Sequence, residues 1–421
     1  MHTRIKSDRY RRGLCERIAR AAIQGSQPGV AVRNALKNMK AEGPFWVCAV
    51  GKAAGSMALG AKDVLAHRAF GSLAVSVDGC ASGGLETYFQ AGHPVPDRRS
   101  EAAAAQVREF FAAADKGEIL FLLSGGASAL LASPPADIGL EAILELTESL
   151  LHCGASIGEI NTVRRHLDTL KGGKLAALAQ VPIRTLAISD VIGDRPEDIG
   201  SGLTVGDPTS YGDALDVLRK HSLTVPESVR GYLMDGVAGR IKPNPKNTRP
   251  IDSFEIILRN QTALNAAESE AKKLGYEVVF LTSKLQGEAK VRGRHLAALG
   301  CEVGNRVCLL SGGETTVTVK GIGQGGRNQE LCLAAAKYLA GETHVTLASV
   351  GTDGIDGPTE AAGGVVDGTT WEELRSLGGD PDKYLGQNDS YTALSKVNAT
   401  IVTGPTGTNV MDVQVVLVDR T

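Results

Sequence analysis

Along much of this chain, a short apolar run stops at a glycine and gives way to a helix-like stretch. Phe45–Val50 (FWVCAV) runs into Gly51-Lys52, and Ile119–Leu123 (ILFLL) runs into Ser124-Gly125-Gly126-Ala127-Ser128. Such runs of β-branched and apolar residues, bounded by glycine, read as buried strands. Further strands are expected at 72–77, 183–188, 254–258, 277–281, 306–310, 315–319, 345–350 and 401–403. Helical patterns at 52–67, 100–114, 262–274, 288–299 and 328–339 separate several of them. This alternation predicts an α/β architecture with mostly parallel sheets, in which ligands sit beyond the carboxyl ends of the strands.

Composition narrows the class. With 51 glycines in 421 residues and only 4% aromatics, the chain favours tight turns and close backbone approach to a ligand. Lysine plus arginine total 45 against 47 acids, which argues against a generally basic nucleic-acid binder. The seven cysteines (15, 48, 80, 153, 301, 308, 332) form no C-x-x-C pair, so neither a disulfide framework nor a zinc cluster is expected. The longest purely aliphatic and aromatic run, Ile119–Leu123, is far too short to span a bilayer, and a soluble cytoplasmic protein without membrane partners is expected. Met1 to Arg20, with seven Lys/Arg and two acids, reads as a charged surface helix. Gly239–Ile251 (GRIKPNPKNTRPI) carries three prolines and no apolar period, so it reads as a linker between domains 1–245 and 246–421.

The glycine turns are where chemistry is expected. Gly51 and Lys52 stand where a strand passes into a helix, a setting that favours anions, and the lysine adds a cation. In Ser124–Ser128, Gly125 and Gly126 would let a phosphate or carboxylate reach the main chain, with Ser124 and Ser128 as hydroxyl donors. A packed strand–helix corner would need only the glycines. A similar SGGET turn (Ser311–Thr315) follows a strand in the second half. Gly321, Gly323 and Gly326 spell G-x-G-x-x-G before a helix, with Asp353 at the end of the next strand, as a dinucleotide fold would have it. Against that reading, Arg327 follows the last glycine directly and suits a phosphate or carboxylate through its planar fork.

Asp190 and Asp194 share one loop, Asp353 and Asp356 a second, and Asp389 lies in a third. Carboxylates at strand ends suit Mg²⁺, although a turn or cap is the commoner role of a single aspartate. A helix is expected over Glu159–Ala176, with Arg164, Asp168 and Lys171 on one face and a glycine stop at 172–173. That face is either solvated or a seat for an anionic substrate. Neither Gly-Lys site fits G-x-x-x-x-G-K-[ST], and H-R-D and D-F-G elements are absent, which excludes an ordinary P-loop and a protein kinase.

Ten blocks in order, VGKAAGSMA, GHPVPD, LSGGASALL, INTVRRHLDTLKGGKLA, SDVIGD, SGGETTVTV, GQGGRNQE, GTDGIDGPTEAAG, QNDSY and TGPTGTNVMD, closely resemble the glycerate 2-kinase family with its C-terminal MOFRL domain. The resemblance covers roughly Val50 to Asp412. It implies an ATP- and Mg²⁺-dependent kinase converting D-glycerate to 2-phosphoglycerate. It also implies a Rossmann-like three-layer N-terminal domain, a second α/β domain and an active site in the cleft between them. Lys52 and Arg327 match the family's proposed catalytic positions, and Asp190 is carried over as a metal or hydroxyl partner. Gly51, Ser124, Gly125, Gly126, Ser128, Arg164, Lys171, Glu314, Gly323, Gly325, Gly326, Asn328, Asp353, Asn388 and Asp389 are the expected substrate- and phosphate-binding set. D-Glycerate and ATP are the expected partners, with a second copy of the chain as a further candidate. The sequence departs from the family at Leu203, where SGPT is usual, and at Gly206, where proline is usual, which predicts a looser loop. Two rivals stand beside the kinase: a nicotinamide-dependent hydroxypyruvate reductase using Gly321–Gly326 and Asp353, and a non-catalytic sensor of small organic acids.

Overall fold

The strand Phe45–Val50 (β1) is buried at five of its six positions. Period-two alternation sends Cys48 and Val50 to one face and Val47 and Ala49 to the other, and all four are inaccessible or nearly so. Cys48 and Val50 join a cluster with Phe111, Phe121 and Leu130, and helix Ala54–Leu65 also packs on the strand. A strand covered on both faces belongs in a parallel sheet. In this computed structural model, which describes residues 2–39, 43–80 and 83–420, the chain divides into two units, Pro28–Ile257 and a second made of Met1–Gln27 with Leu258–Thr421.

The first unit holds β1, Ala69–Ser76 (β2), Thr87–Gln90 (β3), Glu118–Leu123 (β4), Ile183–Ile188 (β5) and Ser253–Leu258 (β6), in the spatial order β3-β2-β1-β4-β5-β6. The β3-β2, β2-β1, β1-β4 and β4-β5 pairs are parallel. This is the Rossmann order, and its direction of growth reverses between β1 and β4. The switch point lies beyond the carboxyl ends of the two strands, at Gly51 and Ser124, the place where this topology seats ligands. A separate apolar cluster, including Leu146, Leu150, Ile160, Val163 and Leu218, joins the helices at 139–152, 157–166, 211–220 and 227–237.

The second unit holds Glu277–Leu285 (β7), Val307–Gly313 (β8), Val345–Gly351 (β9), Gly363–Asp367 (β10), Thr400–Ile401 (β11) and Asp412–Val418 (β12), ordered β11-β10-β9-β12-β8-β7. Only β7-β8 is parallel here; the C-terminal strand β12 enters between β8 and β9 and runs antiparallel to both. The expectation of mostly parallel sheets therefore holds for the first unit and is corrected for the second.

Other expectations change as well. The segment 315–319 is not a strand. Glu288 takes the Thr318 amide and hydroxyl at 3.1 and 3.0 Å, and a single bridge at Thr316 is the only ladder contact found there among the described residues. The proline-rich stretch 239–251 is tied into the first unit. Asn244 is buried and donates to Asp207 at 2.7 Å, and Arg249 donates to the carbonyls of Ala179 and Val181. The boundary falls at 257/258, at the last residue of β6, because β6 hydrogen-bonds to β5 at the sheet edge. Helix His2–Gln24 is a core element of the second unit as well as a charged one, with Cys15, Ile18, Ala19 and Ala22 fully buried. Among the described residues, no helix is long and apolar enough to cross a membrane.

Candidate functional site

At the end of β1, Gly51 has φ +125°, and a β-carbon there would fall 2.2 Å from Ser124 Oγ. Only glycine lets the two turns approach so closely. The amides of this first turn are spent internally: Gly51 donates to Val75 O, Lys52 to Gly125 O and Ala53 to Ser124 Oγ, at 2.9–3.1 Å. What the turn leaves exposed is the Lys52 ammonium, which has no partner among the described residues. The second turn is the converse. The amides of Gly125, Gly126, Ala127 and Ser128 find no acceptor within the described residues, while Ser128 Oγ bonds Ser201 Oγ at 2.9 Å. Four unpaired donors in succession beside a half-buried cation suit an anion.

Two further groups close on this turn. A β-carbon on Gly125 would lie 2.0 Å from Asp190 Oδ2, so Asp190, just past β5, rests against the turn. A β-carbon on Gly126 would lie 3.0 Å from His93 and 3.3 Å from Lys52 Cγ. Burial, with the Lys52 charge adding to it, lowers the His93 pKa to about 4, so the imidazole is neutral near pH 7. The sequence marked His93 only as a turn residue. The structure thus gathers Lys52, Ser124–Ser128 and Asp190 at three adjacent strand ends.

Arg164 and Lys171 lie on a cavity of about 620 Å³ that also reaches Gly126 and Ser128. The expected helix 159–176 in fact spans Ile157–His166. Asp168 Oδ1 accepts from the Leu170 and Lys171 amides at 2.8 and 3.1 Å, which replaces helical bonding with a turn. Lys171 Nζ is held by Asp168 at 2.5 Å and by Leu131 O at 2.8 Å. Lys171 is therefore a neutralised internal cation, whereas Arg164 has no partner among the described residues. Next to it, Arg165 is fully buried between Asp198 and Asp207 at 3.2 and 3.0 Å, a pairing that the surface-like motif RRH conceals. The loop with Leu203 and Gly206 is not loosened. Leu203 is fully buried, the Gly172 and Gly173 amides bond the carbonyls of Ser201 and Gly202, and a β-carbon on Gly206 would strike Lys246 O at 2.5 Å.

In the second unit the expected cradles are mostly filled. Ser311–Gly313 of SGGET is strand interior, paired with Gln414–Asp412 of β12, not a turn. Gly321–Gly326 follows no strand, so the dinucleotide context is missing. At the start of helix Arg327–Leu339, the Asn328 and Gln329 amides bond Asp356 at 3.0 and 2.9 Å, where a pyrophosphate would have to bind. The Gly323 amide goes to Gln387 O, and β-carbons on Gly323, Gly325 and Gly326 would strike Asp389, Ser390 and Asp356 at 2.2–2.3 Å. Asn388 Oδ1 takes the Lys320 and Gly321 amides, and Asp389 Oδ1 takes that of Gln324. Asn328 is fully buried, with Ser349 and Asp356 as partners. These residues, expected to contact ligand, hold their own loop together.

Arg327 remains partly accessible. Its Nε and Nη2 donate to Asp412 at 2.7 and 2.8 Å, and Nη1 pairs with Glu314 at 3.0 Å. Burial opposes its charge, but Asp412 outweighs that and raises the Arg327 pKa. Asp353 Oδ1 closes an Asx turn onto the Ile355 amide. Asp412 was not singled out from sequence, although a carboxylate opening the apolar run DVQVVLV is a readable sign of a buried partner. Lys52 belongs to the first unit and Arg327 to the second.

Fold and turn together define a two-domain α/β protein with an anion-suited turn at the switch point of its first sheet. Residues 14–234 match a family model described as a domain of unknown function (DUF4147), and residues 307–412 match the MOFRL family. The chain is 40% identical over 416 residues to a Thermotoga maritima protein named D-glycerate 2-kinase, covering 96% of this chain and 98% of the relative. The crystal structure of a T. maritima glycerate kinase superposes with a TM-score of 0.89 at 39% identity, over 97% of this chain and all of that one. An Agrobacterium vitis protein named putative hydroxypyruvate reductase is 36% identical, over 97% of this chain and 94% of its own length. The chain belongs to the glycerate 2-kinase family.

Proposed function

We propose that this protein transfers the γ-phosphoryl group of ATP to the 2-hydroxyl of D-glycerate, giving 2-phosphoglycerate and ADP. The carrying observation is the unpaired Lys52 ammonium beside four unpaired amides at the switch point, in a chain so similar to a named D-glycerate 2-kinase. Phosphoryl transfer depends chiefly on positioning and on neutralising charge on the equatorial oxygens. In this reading the Gly125–Ser128 amides orient the transferred group and Lys52 neutralises it. Arg327 commits three of its five N–H groups to Asp412 and Glu314, which leaves two for the glycerate carboxylate or the phosphate. Both cations act on one substrate, as the resemblance implies. Asp190 accepts the hydroxyl proton or holds the metal.

Mg²⁺ suits the hard oxygens of Asp190. No group of three or more His, Cys, Asp or Glu side chains fit to hold an ion occurs among the described residues, so phosphates and water would complete its coordination. When bound, it supplies further positive charge on the phosphate oxygens. The reductase reading loses its main support, because the glycine fingerprint lacks a strand and Asp356 caps the helix behind it. Purified protein with ATP, Mg²⁺ and D-glycerate should form 2-phosphoglycerate. NADH oxidation by hydroxypyruvate without ATP, and no phosphorylated acid, would overturn the proposal.

A further inference from the structure

The geometry points to the 620 Å³ cavity beside the second glycine turn as the seat of the adenosine half of ATP, with Arg164 on its phosphate chain. This rests on the kinase reading and says where within the first unit the nucleotide lies. A cavity of this volume is in the range that holds cofactor-sized ligands. Its wall is largely apolar, built by Leu140, Ile143, Leu144 and Leu151 of helix Gly139–His152, with Leu167 opposite. A three-carbon hydroxy acid, charged or hydroxylated at every carbon, would be desolvated against that wall without compensating hydrogen bonds. A purine ring has apolar faces that the leucines can cover, and Thr147 and Glu148 supply polar groups for its edge.

Charge sets the orientation. Lys171 is already neutralised by Asp168, so Arg164 is the cavity's unpaired cation among the described residues. Burial lowers its pKa, so an arginine left there without an anion is held at a cost in free energy. A phosphate accepts its planar fork. Gly126 and Ser128 line the same cavity, and their amides belong to the unpaired run. Gly126 also borders the stem of Lys52 at Cγ, so a chain of phosphates leaving the cavity over Gly126 runs along the Lys52 side chain.

The test uses the full chain with ADP alone, read by calorimetry, and separates KM for ATP from KM for D-glycerate. Arg164→Met keeps the stem and removes the charge, and Leu144→Trp fills the cavity. Loss of a charge-assisted contact should weaken ADP binding roughly tenfold or more in Arg164→Met, with KM for D-glycerate little changed. Arg164→Lys should recover part of the loss. Photolabelling with 8-azido-ADP should mark the 139–167 segment and be blocked by excess ADP, and this holds even where a variant folds poorly. ADP labelling in the cavity without glycerate phosphorylation would keep this assignment and remove the substrate proposal. Glycerate phosphorylation with the label elsewhere, or a rise in KM for glycerate alone, would overturn the assignment and keep the kinase.

Discussion

Lys52 shows how much a single residue's surroundings decide. Its own amide is spent on Gly125 O, so what it offers a ligand is one mobile charge beside four amides that find no acceptor among the described residues. Lys52→Ala should lower kcat/KM by roughly a hundredfold or more, as for loss of a preorganised donor, with an unchanged circular dichroism spectrum. Near-normal turnover would remove Lys52 from the mechanism. His93 titrates in the opposite sense to a salt-bridged histidine. Its folded pKa is about 4 against an ordinary 6.5, so its contribution to stability is full above pH 6.5 and is lost as pH falls towards 4. His93→Gln should flatten that part of the stability–pH curve, and imidazole nitrogen shifts in the wild type should stay neutral at pH 5.5. A protonated ring at that pH would contradict the burial argument.

At the scale of elements, the turns depend on backbone approach. Gly51→Ala puts a β-carbon at φ +125° and 2.5 Å from Ser124 O, a contact that only backbone movement relieves. We expect it to destabilise the first unit by about 2 kcal/mol or more, measured by denaturant unfolding. Gly154→Ala, where nothing lies within 4 Å, carries only the positive-φ strain and should cost less, about 1 kcal/mol. In the second unit, Asp356 is the N-terminal anchor of helix Arg327–Leu339. Asp356→Ala would orphan the Asn328 and Gln329 amides and cost about 2 kcal/mol. Faster amide exchange at the helix start, not a change in nucleotide affinity, is the expected signature.

For the whole molecule, the unexpected feature is that the first helix of the chain completes the core of the last unit. Arg12 donates to Asp367 at 2.6 and 2.8 Å, and Asp367 is buried and held below the usual carboxylate pKa against the burial penalty. Arg12→Ala leaves that buried carboxylate with hydrogen bonds from Thr369 and Thr370 but without its paired charge, and should cost about 3 kcal/mol, with faster exchange in β9 and β10. Arg17→Ala, which breaks the exposed pair with Glu270, should cost under about 1 kcal/mol. Equal losses in the two variants would mean that the terminal helix does not support the core as described.

Ten ordered motifs identified the family, and apolar runs put strands at FWVCAV, ILFLL, IRTLAI and VTLASV, because an apolar run closed by a turn depends on local composition alone. Lys52 and the Ser124–Ser128 turn could be read for the same reason: their chemistry is contiguous in the chain. Other features depended on residues far apart. Ser311–Gly313 was read as a turn because its pairing partner, β12, lies about a hundred residues away. Arg165 drew no reading from the sequence, because its partners Asp198 and Asp207 come from other segments, and the bonds from the Lys320 and Gly321 amides to the Asn388 carboxamide were equally invisible. The order of residues decided which segments become strands, helices and turns. Only folding decided which donors are already satisfied, because a hydrogen bond to a distant segment leaves no local trace.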